Sequence, residues 1–279
     1  DLLTGSSGND VYLFDTDLAL GSDMINEAGG GTDTLTFSPT TTRAVSVDLS
    51  NAGLQTVNAG LMLNLSSGTT IENVIGGAMG DTMTGNSLNN SLTGGGGDDL
   101  LSGGSGADTY VFDTDLALGS DTILESGVGS DKLDFGLTTT RAVSIDLSLA
   151  TSQFVNAGLT LTLSANNTIE NATGGSLNDI LIGNSLANTL TGNSGDDVLS
   201  GRAGNDILIG GTGKNILIGG FGADQLTGGT SEDLLLGARF LLEDDFIALS
   251  SLQAEWISAS SFDDRVGHLL GTLAGGVHN

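Results

Sequence analysis

The sequence predicts an all-β protein, a parallel β-roll or β-solenoid with a short helical C-terminal segment. Three observations carry that expectation. Gly heads consecutive nine-residue blocks, a unit of 98 residues occurs twice, and the chain after Gly237 leaves both patterns.

Composition sets the bounds. Of 279 residues, 45 are Gly, one is Pro and none is Cys. Seven Lys and Arg face 34 Asp and Glu, for a formal charge of −27. Aromatic residues make up 4%, too few to fill a thick core. Without Cys, a disulfide scaffold, a Cys zinc site and thiol catalysis are excluded. The acidic balance argues against nucleic acid and anionic membrane as partners, because both demand Lys and Arg. No long apolar run suggests membrane insertion. So much acid normally marks disorder, yet 38% of residues are hydrophobic. A bound cation that neutralises the carboxylates reconciles the two.

Residues 1–13 read as the end of a nonapeptide block, from Gly5 to Leu13. The opening Asp1-Leu2-Leu3-Thr4 matches Asp99-Leu100-Leu101-Ser102 inside a repeat, so the chain is expected to be a piece of a longer protein. Residues 14–75 and 112–173 are two copies of one unit. Thr40-Thr41-Thr42-Arg43-Ala44-Val45-Ser46 returns as Thr138-Thr139-Thr140-Arg141-Ala142-Val143-Ser144, and more than half the aligned positions are identical. Val45–Leu49 and Leu61–Leu65 alternate as half-buried strands, and Gly21-Ser22-Asp23 and Gly31-Thr32-Asp33 echo a turn-Asp-strand logic, so the solenoid should continue there with longer coils. Asp113 and Asp115 start like a helix-loop-helix calcium loop, but Ala117 and Leu118 break it, and an ordinary acidic turn is favoured.

Four nonapeptides fill 76–111 and seven fill 174–236. In the latter run Gly leads each block, and the eighth position is Leu181, Leu190, Leu199, Leu208, Leu217, Leu226 and Leu235. Six turn-formers followed by three apolar or β-branched residues describe a tight turn and a very short strand. Gly at this density excludes a helix. Two blocks, 18 residues, complete one coil, with the eighth-position Leu side chains as an inward ladder.

Gly201-Arg202-Ala203-Gly204-Asn205-Asp206-Ile207-Leu208-Ile209 and Gly219-Gly220-Phe221-Gly222-Ala223-Asp224-Gln225-Leu226-Thr227 resemble the nonapeptide of repeats-in-toxin (RTX), or hemolysin-type, proteins, whose motif is G-G-x-G-x-D-x-U-x. The resemblance implies a calcium-binding β-roll in which blocks two apart share an ion on one edge. It pairs Asp206 with Asp224, Asp179 with Asp197, and Asp81 with Asp99. The chemistry agrees: Ca²⁺ takes six to eight hard oxygens from carboxylates and carbonyls. Candidate ligands are Asp10, Asp81, Asp99, Asp108, Asp179, Asp197, Asp206, Asp224 and Asp233. Candidate turn glycines are Gly95, Gly97, Gly104, Gly106, Gly195, Gly204, Gly220 and Gly222; Gly at the first, second and fourth positions is expected to supply positive φ. Asn90, Asn188 and Asn215 keep an oxygen but no charge, so an Asn ladder with weak or absent metal binding is favoured there. Without calcium the solenoid is expected to be poorly folded.

Residues 237–279 read as a helical cap or an export-related segment. Leu242, Phe246, Leu249, Leu252 and Trp256 keep helical spacing, Asp244 and Asp245 suit the helix start, and Ser261 suits the N-cap of a second helix that includes Leu270. The helices are expected to cover the open end of the solenoid. His268 and His278 are read as surface residues, and Gly103-Gly104-Ser105-Gly106 lacks the final Gly of a nucleophile elbow. No enzyme is predicted. The expectation is an extracellular, secreted or cell-surface module with structural or adhesive duty and self-association into fibres or a surface layer. The alternative is a calcium-dependent folding and export tail of a secreted hydrolase or toxin.

Overall fold

The structure, a computed structural model, describes residues 1–126, 128–165, 168–238 and 245–269. It is built from short parallel strands with two short helices near the C-terminus. Leu242, Asp244, Leu270 and His278 lie outside the described residues. The chain divides into two compact units, Asp1–Asp134 with Ala150–Ile169, and Phe135–Leu149 with Glu170–Asn279.

In the first unit, nonapeptide strands stack at the spacing the repeat demands. Ser91 pairs with Asn73 and Thr109, and Leu100 with Thr82. The longer coils stack in the same direction. Val11 faces Thr34, Thr34 faces Asn73, Leu100 faces Thr122, and Gly119 faces Leu159. The longest coil carries a hairpin, Leu54–Asn58 against Leu61–Leu65, and its duplicate is Gln153–Asn156 against Leu159–Leu163. These are the antiparallel pairings among the described residues. The core is lined by Leu35, Val74, Leu92, Tyr110 and Leu133 from one sheet and by Val47, Met83, Leu101, Ile123 and Leu161 from a second, all buried.

In the second unit, Asn171–Thr173, Thr189–Ser194, Ile207–Thr212 and Gln225–Gly229 form one stack, and Ser144–Asp146, Ile180–Ile182, Val198–Ser200, Ile216–Ile218 and Leu234–Leu236 form another. The Leu ladder is buried from Leu181 to Leu217. It then fades, because Leu226 is half-buried and Leu235 is 46% exposed. The coil that would cover them is not there among the described residues.

The helices, α1 (Phe246–Trp256) and α2 (Phe262–Leu269), do not lie over that end. They cover the outer face of the second stack. Leu249, Leu252 and Trp256 pack on Ile180, Ile182, Val198, Ile216 and Ile218, with Leu234, Leu236, Phe246, Val266 and Leu269 around them. The reason is apolar area: these strands are apolar on both faces, so their outer face must also be buried. Asp245 caps α1, its side chain accepting from the Ile247 N–H at 2.8 Å and the Ala248 N–H at 3.2 Å. Ser261 accepts from the Asp264 N–H at 3.1 Å at the start of α2. Trp256 donates to the Glu232 carbonyl, and the buried Arg265 guanidinium sits 4.8 Å from its ring. His268 is half-buried rather than a surface residue, held by Glu255 at 2.6 Å.

Candidate metal centre

Each sixth-position side chain stands at the mouth of a turn, directly after the Gly-rich residues and before the strand. From Asp81 onward, the Oδ1 of each sixth-position Asp accepts the backbone N–H of the residue at the same place one coil earlier. The Asp81 N–H donates to Asp99 at 2.7 Å, Asp179 to Asp197 at 2.8 Å, and Asp206 to Asp224 at 3.1 Å. Asn90 donates likewise to Asp108, Asn188 to Asp206, and Asn215 to Asp233. The structure therefore brings the expected partners together as stack neighbours.

The second oxygen divides the turns into two kinds. Where the second residue of the block has ordinary backbone, its N–H donates to Oδ2: Gly77 to Asp81 and Gly175 to Asp179 at 2.6 Å, and Ser6 to Asp10 at 3.0 Å. Both oxygens of Asp81 and Asp179 are thus held by N–H groups, the others being Val45 and Val143. Where the second residue is left-handed, that bond is missing. Gly95 and Gly104 lie at φ +99° and +98°, and Asn193 and Arg202 at +74° and +68°. The Oδ2 atoms of the Asp residues in those four blocks, Asp99, Asp108, Asp197 and Asp206, are buried with no hydrogen-bond partner. A buried anionic oxygen without a donor is costly unless a cation meets it. Four hard oxygens so prepared fit Ca²⁺, which bonds carboxylates without directional demands.

The electrostatics point the same way. Burial pushes Asp99 and Asp197 up to about 8, Asp121 and Asp179 to about 7, and Asp81, Asp108 and Asp206 to about 6. Neighbouring carboxylates add to the rise, Asp121 and Asp81 at Asp99 and Asp224 at Asp206. A bound cation supplies the counter-charge that returns these groups to their ionised form.

All eight expected turn glycines, Gly95, Gly97, Gly104, Gly106, Gly195, Gly204, Gly220 and Gly222, have φ between +97° and +142°. The first-position Gly differs from expectation, since none of the block-leading glycines has positive φ. It is needed for space instead. A Cβ on Gly94, Gly103, Gly192 or Gly201 would stand well under 3.0 Å from the Oδ2 of its own block's Asp. The Asn positions are fully hydrogen-bonded. Asn90 accepts from the Asn86 N–H and donates to the Glu72 carbonyl, Asn188 accepts from Asn184 and donates to the Glu170 carbonyl, and Asn215 accepts from Asp197.

Asp33, Asp121 and Asp131 join the same ladders and escaped the nine-residue register. They accept from Asp10, Asp99 and Asp108 across offsets of 23, 22 and 23 residues. The signal for them is Gly-Ser-Asp or Gly-Thr-Asp before a strand, as at Gly129-Ser130-Asp131.

Family models match this arrangement over two stretches. Residues 173–208 and 209–239 match the RTX calcium-binding nonapeptide repeat. The chain carries RTX repeats, and RTX repeats bind calcium. Residues 24–158 match the serralysin C-terminal domain of peptidase family M10. A comparison with curated proteins found no match. Asp197 and Asp206 fall within the RTX repeat match, whereas Asp99 and Asp108 fall within the serralysin-type stretch. Neither match is to a catalytic domain. No helix among the described residues is long and apolar enough to cross a membrane.

Proposed function

We propose that this chain is a calcium-folded module of a secreted protein, itself without catalytic chemistry, that completes its folding only in calcium-rich surroundings outside the cell. The observation that carries this reading is the set of four buried, donor-less carboxylate oxygens, each behind a left-handed second residue. Asp99, Asp108, Asp197 and Asp206 are the primary ligands, with Asp224 and Asp233 supporting them in the last coils. Asp10, Asp81 and Asp179 serve as backbone caps that hold adjoining coils. Sites with affinities of 10⁻⁴–10⁻³ M would fill outside the cell and stay unfilled in cytosol, which turns export into the folding signal.

The serralysin-type match favours a folding and export tail over an adhesive stalk. The adhesive, fibre-forming reading draws instead on the duplication of a long unit, which suits tandem extension. Calcium titration followed by far-ultraviolet dichroism and light scattering tests both. A chelator-treated sample should have little β signal and gain it cooperatively with calcium. A native spectrum in chelator contradicts calcium-driven folding. Growth of particle mass with calcium would replace the tail reading with the fibre reading.

A further inference from the structure

The longer coil holds carboxylates that the nonapeptide pattern does not use. Asp108, Glu125 and Asp131 are all buried, and each offers an oxygen within 4.8 Å of the others. Asp108 comes from a nonapeptide turn, whereas Glu125 and Asp131 come from the coil that stacks on it across a 23-residue step. The Tyr110 hydroxyl donates to Glu125 Oε2 and accepts the Gly103 N–H at 2.7 Å. Asp108 is 1% exposed, its Oδ1 is taken by the Asn90 N–H, and its Oδ2 has no partner. A buried carboxylate oxygen without a donor, set beside two further buried carboxylates, is costly unless a cation meets it.

The 98-residue image of the cluster supplies a comparison. Asp10, Glu27 and Asp33 again lie within 4.8 Å, with Tyr12 donating to Glu27. There, however, the second residue of the block is Ser6, and its N–H occupies Asp10 Oδ2 at 3.0 Å. In the second copy the left-handed Gly104 withholds that donor. The same side chains are therefore hydrogen-bonded in one copy and left with an orphan oxygen in the other.

We propose that Asp108, Glu125 and Asp131 form a mixed calcium site, in which a nonapeptide Asp is completed by two carboxylates of the longer coil and Tyr110 fixes Glu125 toward the ion. Three anionic oxygens with neither His nor Cys select a hard cation, and their separation allows a common ion with oxygen distances of roughly 2.3–2.6 Å. The site would clamp a coil outside the regular 18-residue stack, where no repeat neighbour supplies a second sixth-position Asp. The inference rests on the calcium reading above.

The test counts ions on the full chain and uses terbium as a luminescent stand-in for calcium. In a Tyr12→Phe background Tyr110 is the one tyrosine left. Excitation in the tyrosine band should then produce terbium emission that further substitution by Tyr110→Phe lowers, what is left being sensitised by Trp256. Glu125→Gln should bind one calcium ion fewer per chain by equilibrium dialysis, while Glu27→Gln leaves the count unchanged. An unchanged count in Glu125→Gln beside normal binding by the parent overturns this site alone. No binding by the parent overturns the calcium reading itself. If Glu125→Gln fails to fold in calcium, Tyr110→Phe decides, because it keeps all three carboxylates; emission that it leaves undiminished overturns the proposal.

Discussion

A single backbone angle decides what a sixth-position Asp can do. Left-handed residues at Gly95, Gly104, Asn193 and Arg202 coincide with a donor-less Oδ2, and ordinary ones at Gly77 and Gly175 coincide with a capped one. Asp206→Asn should therefore weaken calcium binding more than Asp233→Asn, whose stack neighbour is the uncharged Asn215. Loss of the charged ligand at 206 should cost about 1–3 kcal/mol of calcium-linked stability. Paired titrations followed by dichroism check the order, and equal midpoints contradict it. Asp81→Asn should leave calcium stoichiometry unchanged, since both Asp81 oxygens serve N–H groups. Gly201→Ala forces a Cβ onto the Asp206 carboxylate and should lower calcium affinity, whereas Gly237→Ala meets nothing within 4 Å and should not. The place of the sixth-position Asp residues at the turns was legible from the repeat. Their division into capped and orphaned was not, because Gly95 and Gly104 are left-handed where Gly77 and Gly175 are not, and Arg202 is left-handed against the habit of its side chain.

At the level of elements, the 18-residue stacking and the inward Leu ladder could be read directly, since each block pairs local turn chemistry with one apolar position. The destination of the helices could not. Helical spacing at Leu249, Leu252 and Trp256 indicates an apolar stripe but not the surface it meets. Apolar triplets occur in both stacks, Ile180-Leu181-Ile182 and Ile216-Leu217-Ile218 in one and Ile207-Leu208-Ile209 in the other, so the triplet alone does not say which outer face is covered. A strand that needs cover on both faces calls for a partner. Trp256→Ala should cost about 3–5 kcal/mol and detach the helices. Limited proteolysis should then cut within 245–269 sooner, with calcium stoichiometry unchanged; equal cutting rates contradict the packing role. The hairpin Leu54–Asn58 with Leu61–Leu65 was half legible: its second strand alternates, but its first reads as loop.

Across the whole molecule, the buried carboxylates make calcium and protons competitors. Their folded-state values of about 6–8 lie above the ordinary carboxylate value of about 4. The calcium-free folded form therefore binds more protons than the unfolded chain in that window. Its stabilisation from these groups is fully present in acid and is lost as pH rises through about 6–8. In chelator the β signal missing at about pH 8 should partly return toward about pH 5; a signal that is lower at pH 5 than at pH 8 contradicts the assignment. With calcium the trend should reverse, because ionised carboxylates bind the ion and binding expels protons. The charge of −27 made a counter-ion legible from composition, while the depth of each carboxylate depended on stacking that composition does not contain.

The one-way pattern of side-chain acceptance gives each stack a direction. The N–H of Asp179 is closed by Asp197, and that of Asp197 by Asn215, always by the coil that follows in the chain. A coil is finished only when its successor arrives, while the successor owes its own N–H to the next. Growth toward the C-terminus thus passes one open donor forward, as a zipper passes its slider. Cutting the stack ahead of a coil exposes that donor, and cutting behind it removes only a recipient. Two truncations of equal length, one from each side, should therefore differ in how readily the remaining coils fray.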